Sequence, residues 1–229
     1  MQRQIELLCL RESQKVADLG TGVGDFVVKL SESERICSSL TVHAFDFVSE
    51  GLRRAELRSL RSAANQRGVR SRLVLADLEV SRRLGIPAAT GSYDAVLASL
   101  LIGYLREPQL VLEEIHRILR PGGRLVLSTL KRDADISKIH VDGLQELRMG
   151  RASQALGDGA AEQIDELARD FLNDASRILD LEERGRFKFW DPQEITAAVR
   201  QAGFRNISAE LAFGDPPQAV LVAAEASGS

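Results

Sequence analysis

The sequence predicts an α/β protein with a doubly wound, mostly parallel sheet. Three observations predict it. Nearly continuous apolar runs of strand length alternate with longer amphipathic patterns from residue 15 to residue 130. That alternation marks β-α-β units, and strands buried on both faces carry unbroken apolar runs. The first run ends in a glycine-rich turn that opens a helix, "VADLGTGVGDF" at 16–26. The last two runs are joined only by "GDPP" at 214–217, too short for a crossover helix, so they pair antiparallel.

The elements follow in order. "KVADL" (15–19) is a buried strand, and after the glycine turn "DFVVKLSES" (25–33) is a helix. "LTVHAFD" (40–46) is the second strand. The spacing of Leu52, Leu57 and Leu60 predicts a helix over 49–68, with Ser49 as its cap and Gly68 at its end. "SRLVLAD" (71–77) and "SYDAVLASL" (92–100) are the third and fourth strands. "EPQLVLEEIHRILR" (107–120) is an amphipathic helix closed by Pro121-Gly122-Gly123, and "GRLVLSTL" (123–130) is the fifth strand. Residues 133–188 break the rhythm with a polar, helical pattern, read as an insert. "DPQEITAAVRQAGF" (191–204) is a helix behind an Asp191 cap, with Pro192 in its first turn and Gly203 at its end. "RNISAELAF" and "QAVLVAAE" are the last two strands. The whole of 1–229 reads as one domain.

Composition narrows the function. The 229 residues are 44% hydrophobic and 28% charged, enough for one α/β domain with a core. A net charge of −3 and a pI near 5.7 argue against binding DNA or anionic membrane through bulk charge. No apolar run approaches the roughly 20 residues of a membrane helix, and "MQRQIELLCLRES" lacks the apolar core of a signal peptide. Cys9 and Cys37 sit in no C-x-x-C or Cys/His cluster, so no metal site is expected. A reducing, cytoplasmic setting follows, with both thiols expected to pack as small hydrophobes.

Gly20, Gly22 and Gly24 come directly after Asp18 and a hydrophobic run. A strand ending in such a turn and opening a helix binds ligands: the backbone can approach closely, and the helix offers free N–H groups. The dinucleotide spacing G-x-G-x-x-G would need glycine at position 25, which is Asp25, and no G-K-[ST] follows for a nucleotide P-loop. Asp46, ending the second strand, can accept from both hydroxyls of a ribose. Asp77, ending the third, suits an adenine amino group. All of these lie at carboxyl ends of strands, where open α/β sheets bind ligands.

"VADLGTGVG", "FDF", "ADLE", "YDAVLASLLIGYL" and "LEEIHRILRPGGRLVLST" together resemble the class I S-adenosylmethionine-dependent methyltransferases, closest to the small-molecule group of ubiquinone and menaquinone biosynthesis. The match covers about residues 15–130 and the last helix and two strands. The resemblance implies a seven-stranded Rossmann-like sheet with an antiparallel last strand, the insert at 133–188 forming a substrate cap. It implies S-adenosylmethionine as cofactor. Gly20, Thr21 and Gly22 would wrap its methionine part, and Asp18 would hold its amino group. Asp46 would bind the ribose and Phe47 would lie against the adenine. Asp77 and the Leu78 backbone would read the adenine edge, while Ala98, Ser99 and Leu100 would line the sulfonium region.

Other residues divide between structural and functional readings. His43, mid-strand, reads as structural, and His116 as a surface residue. His140, after the fifth strand, and Tyr104, after the fourth, are the candidates for touching substrate or acting in catalysis. Arg53, Arg54, Arg58, Arg61, Arg67, Arg70 and Arg72 read as a solvated face. "DPPQ" at 215–218 reads as a turn. Family members usually carry helices before the first strand, and only about 14 residues precede it here. The pocket is therefore expected to be open, covered by the insert, or completed by a second copy or a larger synthase. The apolar "LLIGYL" suggests an apolar or aromatic acceptor. The expected function is metal-free methyl transfer to a small molecule. The alternatives are a non-methylating cofactor-binding or partner protein of the same fold and, behind it, an RNA or protein methyltransferase.

Overall fold

Seven strands form one sheet in the order β3-β2-β1-β4-β5-β7-β6. The structure, a computed structural model, describes residues 1–32, 39–61, 68–79, 85–135, 138, 180–181 and 183–228. The elements are α1 (Gln2–Leu8), β1 (Lys15–Leu19), α2 (Asp25–Glu32), β2 (Thr41–Asp46), α3 (Ser49–Arg61), β3 (Arg70–Leu75), β4 (Tyr93–Ser99), α4 (Pro108–Ile118) and β5 (Leu119–Leu130). A 3-10 turn (Ile102–Tyr104) separates β4 from α4, and α5 (Pro192–Gln201), β6 (Phe204–Ala212) and β7 (Ala219–Ala226) complete the chain. The pairs β1–β2, β1–β4, β2–β3 and β4–β5 are parallel, and β7 runs antiparallel to both β5 and β6. The short "GDPP" connection fixes that reversal.

The strands alternate side chains between two cores. Ala17, Phe45, Val96, Leu125 and Leu127 face α4 and α5, where they meet Leu112, Ile115, Ile195 and Val199. Val16, Val42, Leu97 and Val126 face the other way, toward Phe26, Val27 and Leu30 of α2 and Ile5 and Leu8 of α1. Central strands buried on both sides account for the unbroken apolar runs.

Several elements differ from the sequence expectation. Residues before β1 form a helix: Ile5 and Leu8, three apart, bury one face of α1 against the sheet. The fifth strand starts at Leu119 and not after the Pro-Gly-Gly, because buried Leu119 already pairs with Tyr93. The third strand ends at Leu75, two residues before Asp77. Leu52 N–H bonds the Val48 carbonyl, so Val48 and not Ser49 stands at the cap of α3. Residues 62–67, and with them Arg67, lie outside the described residues. Asp191 does stand at the cap of α5, where its N–H donates to the Glu194 carboxylate at 3.1 Å. Most of the 133–188 insert lies outside the described residues.

Single residues differ too. His116 is half-buried, edge-on to Phe204 with ring centres 5.1 Å apart, and its Nε2 meets Ser227 Oγ at 3.2 Å. Cys9 is an exposed free thiol, since it ends α1 in the left-handed conformation, while Cys37 lies outside the described residues. His43 is structural as expected: its Nδ1 meets the Tyr93 hydroxyl at 2.9 Å, and the rings pack edge to face. "DPPQ" is a turn, and its buried Gln218 accepts from Asp135 N–H at 2.7 Å.

Candidate active site

The strand order reverses between β1 and β4, whose neighbours lead away in opposite directions. At such a reversal the loops leaving the carboxyl ends diverge and open a crevice. Asp18 on β1 and Ser99 on β4 stand beside it.

The glycine turn is built from backbone bonds. Gly20 and Thr21 N–H both donate to the Phe45 carbonyl, at 2.9 and 3.0 Å, which ties the end of β1 to β2. Gly24 N–H then donates to the Thr21 carbonyl at 2.9 Å and delivers the chain into α2. The glycines do different work. At Gly24 (φ 81°) a side-chain carbon would stand 2.8 Å from Ala55 Cβ, so this glycine lets α3 pack on the turn. At Gly22 (φ 54°) nothing lies within 4 Å of that position, and the space beside the backbone is open. Arg58 on α3 pins the turn from outside, donating to the Val23 carbonyl at 2.9 Å and pairing with Asp25 at 2.6 Å.

Two carboxylates stand under the turn. Asp46 is buried, yet each of its oxygens accepts a backbone N–H: Gly22 at 2.7 Å and Val48 at 2.9 Å. A carboxylate accepts about four hydrogen bonds, so lone pairs remain for a ligand. Asp18 is only 2% exposed, and its Oδ2 has no hydrogen-bond partner. Burial pushes its carboxyl up to about 7; neighbouring Thr21 opposes this, and the charges of Asp46 and Asp25 add to it. Thr21 Oγ1, buried beside it, likewise has no hydrogen-bond partner. A buried carboxylate with an unused oxygen wants a cation.

The remaining expected residues spread along the same edge. Phe47 is 68% exposed at the end of β2, an aromatic face open to solvent. Asp77 is exposed and its Oδ1 accepts from Glu79 N–H at 2.9 Å, while the Leu78 side chain is buried in the core. Ala98 is buried, Ser99 half-buried, and Leu100 is 42% exposed in a left-handed conformation (φ 54°). Tyr104 is partly exposed, edge-on to Phe187 with ring centres 4.8 Å apart. His140 lies outside the described residues.

Four residues on this side were missed by sequence reasoning. Gln4 of α1 is 1% exposed and bonds both Ser99 and Ser128. Gly103 receives the end of the insert: Lys188 N–H donates to its carbonyl at 2.8 Å, and a side-chain carbon there would strike Phe187. Phe187 and Trp190 are buried, and Trp190 N–H donates to the Leu130 carbonyl. The aromatic run "FKFW" at 187–190 was the available signal for an apolar docking segment. Gln4 gave no signal, since a single polar residue near an apolar pair does not reveal burial. Arg53, Arg54 and Arg58 of α3 do not form a free cationic face: Arg53 and Arg54 both bond Glu50, and Arg58 serves the glycine turn. A groove between α3 and β3, lined by Leu52, Glu56, Ser71 and Leu73, contains none of these site residues.

This fold, with its ligand edge, defines a class of protein, and comparison with known sequences agrees. The methyltransferase domain family matches residues 1–209, and the chain belongs to it, with the class I S-adenosylmethionine-dependent methyltransferase fold. It is 30% identical over 220 residues to a malonyl-[acyl-carrier protein] O-methyltransferase of Marinomonas sp., covering 94% of this chain and 72% of that protein. It is 30% identical over 125 residues to a demethylmenaquinone methyltransferase of Thermus thermophilus, covering 55% of this chain. The chain spans about half of the Thermus protein's length and 19% of a bifunctional biotin-biosynthesis protein from Saccharophagus degradans. An S-adenosylmethionine-dependent methyltransferase from Aquifex aeolicus, 17% identical, superposes with a TM-score of 0.59 over 98% of this chain and 88% of that one. That likeness shows the fold alone.

Proposed function

We propose that the chain transfers a methyl group from S-adenosylmethionine to a small apolar or aromatic acceptor. The observation that carries this reading is Asp18, a buried carboxylate with an unpartnered oxygen beside a turn left open at Gly22. That donor set fits the cofactor. Asp18 would take its ammonium, the Gly20–Gly22 turn and Thr21 its methionine backbone, and Asp46 the ribose hydroxyls. Phe47 would cover the adenine, with Asp77 and the Leu78 backbone at its edge. Ala98, Ser99 and Leu100 would border the reacting sulfur.

When bound, the cofactor supplies an electrophilic methyl that passes to the acceptor in line, leaving a neutral thioether. The protein's task is alignment, which can contribute about 7–11 kcal/mol in favourable cases. The β4 turn and the 3-10 turn after it present Leu100 and Tyr104, and the Phe187–Trp190 segment packs against the side of the 3-10 turn. These apolar surfaces suit an apolar acceptor. Tyr104 would touch that acceptor, and His140 is the sequence's candidate for removing a proton where the acceptor must lose one. Among the described residues no group of three or more His, Cys, Asp and Glu could hold a metal, and no helix is long and apolar enough to cross a membrane. A reducing cytoplasm suits the exposed thiol of Cys9. The longer relatives are compatible with a place within a larger synthase, and a homodimer is the other form of association in this reading.

Calorimetric titration with S-adenosylmethionine and S-adenosylhomocysteine tests the reading, with Asp46→Ala as control. Micromolar binding that the variant loses, followed by formation of S-adenosylhomocysteine with one of a panel of aromatic and aliphatic acceptors, is the expected result. Binding without turnover would favour the non-methylating alternative.

A further inference from the structure

We propose that Gln4 is a positioning residue: through Ser99 and Ser128 it sets the β4 turn that meets the cofactor's methionine part. The inference rests on the cofactor reading above and deepens it. Gln4 Nε2 donates to Ser99 Oγ at 2.9 Å and to Ser128 Oγ at 3.0 Å. The two serines are register partners on β4 and β5, with their hydroxyls 3.3 Å apart. Leu100 N–H in turn donates to the Ser128 carbonyl at 3.0 Å and to Ser128 Oγ at 3.2 Å. Leu100 holds a left-handed conformation that L side chains resist, and these bonds oppose the strain.

Counting donors fixes the direction of the hydroxyls. An amide nitrogen only donates, so both serine oxygens accept from Gln4. Ser128 Oγ also accepts from Leu100, which fills its two lone pairs. Ser128 can then give its own proton only outward, and the neighbouring acceptor is Ser99 Oγ. That leaves the Ser99 proton with no acceptor inside the cluster. Ser99 thus presents a hydroxyl donor to the crevice, suited to a carboxylate or carbonyl oxygen of a ligand. Gln4 thereby sets both the shape of the turn and the polarity of its hydroxyl.

The helix itself is held independently of Gln4. Arg3 makes a two-pronged pair with Glu210 of β6, at 2.7 and 2.9 Å. Arg124 donates to the Leu7 carbonyl at 2.6 Å, and Ile5 and Leu8 are buried in the sheet's core. Substitution at Gln4 therefore leaves α1 docked.

The test measures S-adenosylhomocysteine affinity by calorimetry, and Tm, for the wild-type chain, Gln4→Leu, Gln4→Glu and Ser128→Ala. Gln4→Leu and Ser128→Ala are expected to weaken binding tenfold or more while Tm falls by only a few degrees. Gln4→Glu is expected to weaken it at least as much, because a carboxylate would draw the Ser99 proton inward. Binding within twofold of wild type in both Gln4→Leu and Ser128→Ala overturns the inference, whatever Tm does. Should Gln4→Leu fail to fold, Ser128→Ala, which changes no residue of α1, decides alone. A wild-type chain that binds no cofactor fails one step earlier and overturns the functional reading instead.

Discussion

Replacing Asp18 with Asn should stabilise the protein above neutral pH and spoil its cofactor site at the same time. Asp18 is buried, its Oδ2 has no partner, and burial raises its carboxyl from 3.8 to about 7. Between those two values the folded chain keeps a proton that the unfolded chain has lost. Stability therefore falls as pH rises from about 4 to about 7 and is flat above. At 1.36 kcal/mol per pH unit, the roughly three units between them correspond to about 4 kcal/mol. Asn removes this cost but leaves its own buried N–H groups short of partners, which costs about 1–3 kcal/mol. The net expectation is a gain of about 1–3 kcal/mol at pH 8, or several degrees in Tm at about 2–4 °C per kcal/mol. At pH 5 only about 1.6 kcal/mol of that cost has accrued, because the unfolded chain is ionised while the folded one is not, and the unpaired amide cancels it, so Asn gains nothing. Urea unfolding of both chains at pH 5 and pH 8 measures this, and calorimetry gives the other half. Wild-type affinity for S-adenosylhomocysteine should rise from pH 6 to pH 8 as Asp18 ionises against the ligand's ammonium, and Asp18→Asn should lose at least tenfold at pH 8. Equal stability changes at the two pH values, or no gain at pH 8, would refute the buried, unpaired carboxylate.

The two glycines should separate. Gly24→Ala drives a methyl into Ala55 and strains a positive φ, so it should cost about 2–3 kcal/mol in urea unfolding. Gly22→Ala meets no atom of the protein, so it should cost only about 1 kcal/mol of stability while weakening S-adenosylhomocysteine binding tenfold or more. Tyr104→Phe keeps the ring against Phe187 and removes only the hydroxyl. Its kcat with the accepted substrate should drop about tenfold while the cofactor affinity stays unchanged, and an unaltered kcat would remove Tyr104 from the acceptor site.

The cofactor half of the site was legible because it is local. Asp18, the three glycines and Asp25 lie within eight residues, and strand-end carboxylates such as Asp46 can be placed by counting apolar runs. Periodicity could not show how those residues are used. Gly24 proves to serve the packing of α3 rather than ligand approach, and Asp46 already accepts two backbone N–H groups. The rest of the proposed site is assembled from residues far apart in the chain: Gly103 against Phe187 and Lys188, and Trp190 beside Leu130, on the acceptor side, and Gln4 across to Ser99 and Ser128 under the β4 turn. Each contact spans roughly sixty residues or more, and each partner is unremarkable alone: a glycine after a strand, a glutamine near an apolar pair. Such pairings depend on which strands adjoin, which single-sequence pattern does not encode. The same division bears on function. A cofactor common to many reactions can be held by a short motif that recurs in order, whereas acceptor choice falls to contacts between distant segments. Changing acceptor specificity should therefore require substitutions in the 3-10 turn and in the Phe187–Trp190 segment together, because Gly103 and Phe187 leave no room to alter either one without the other.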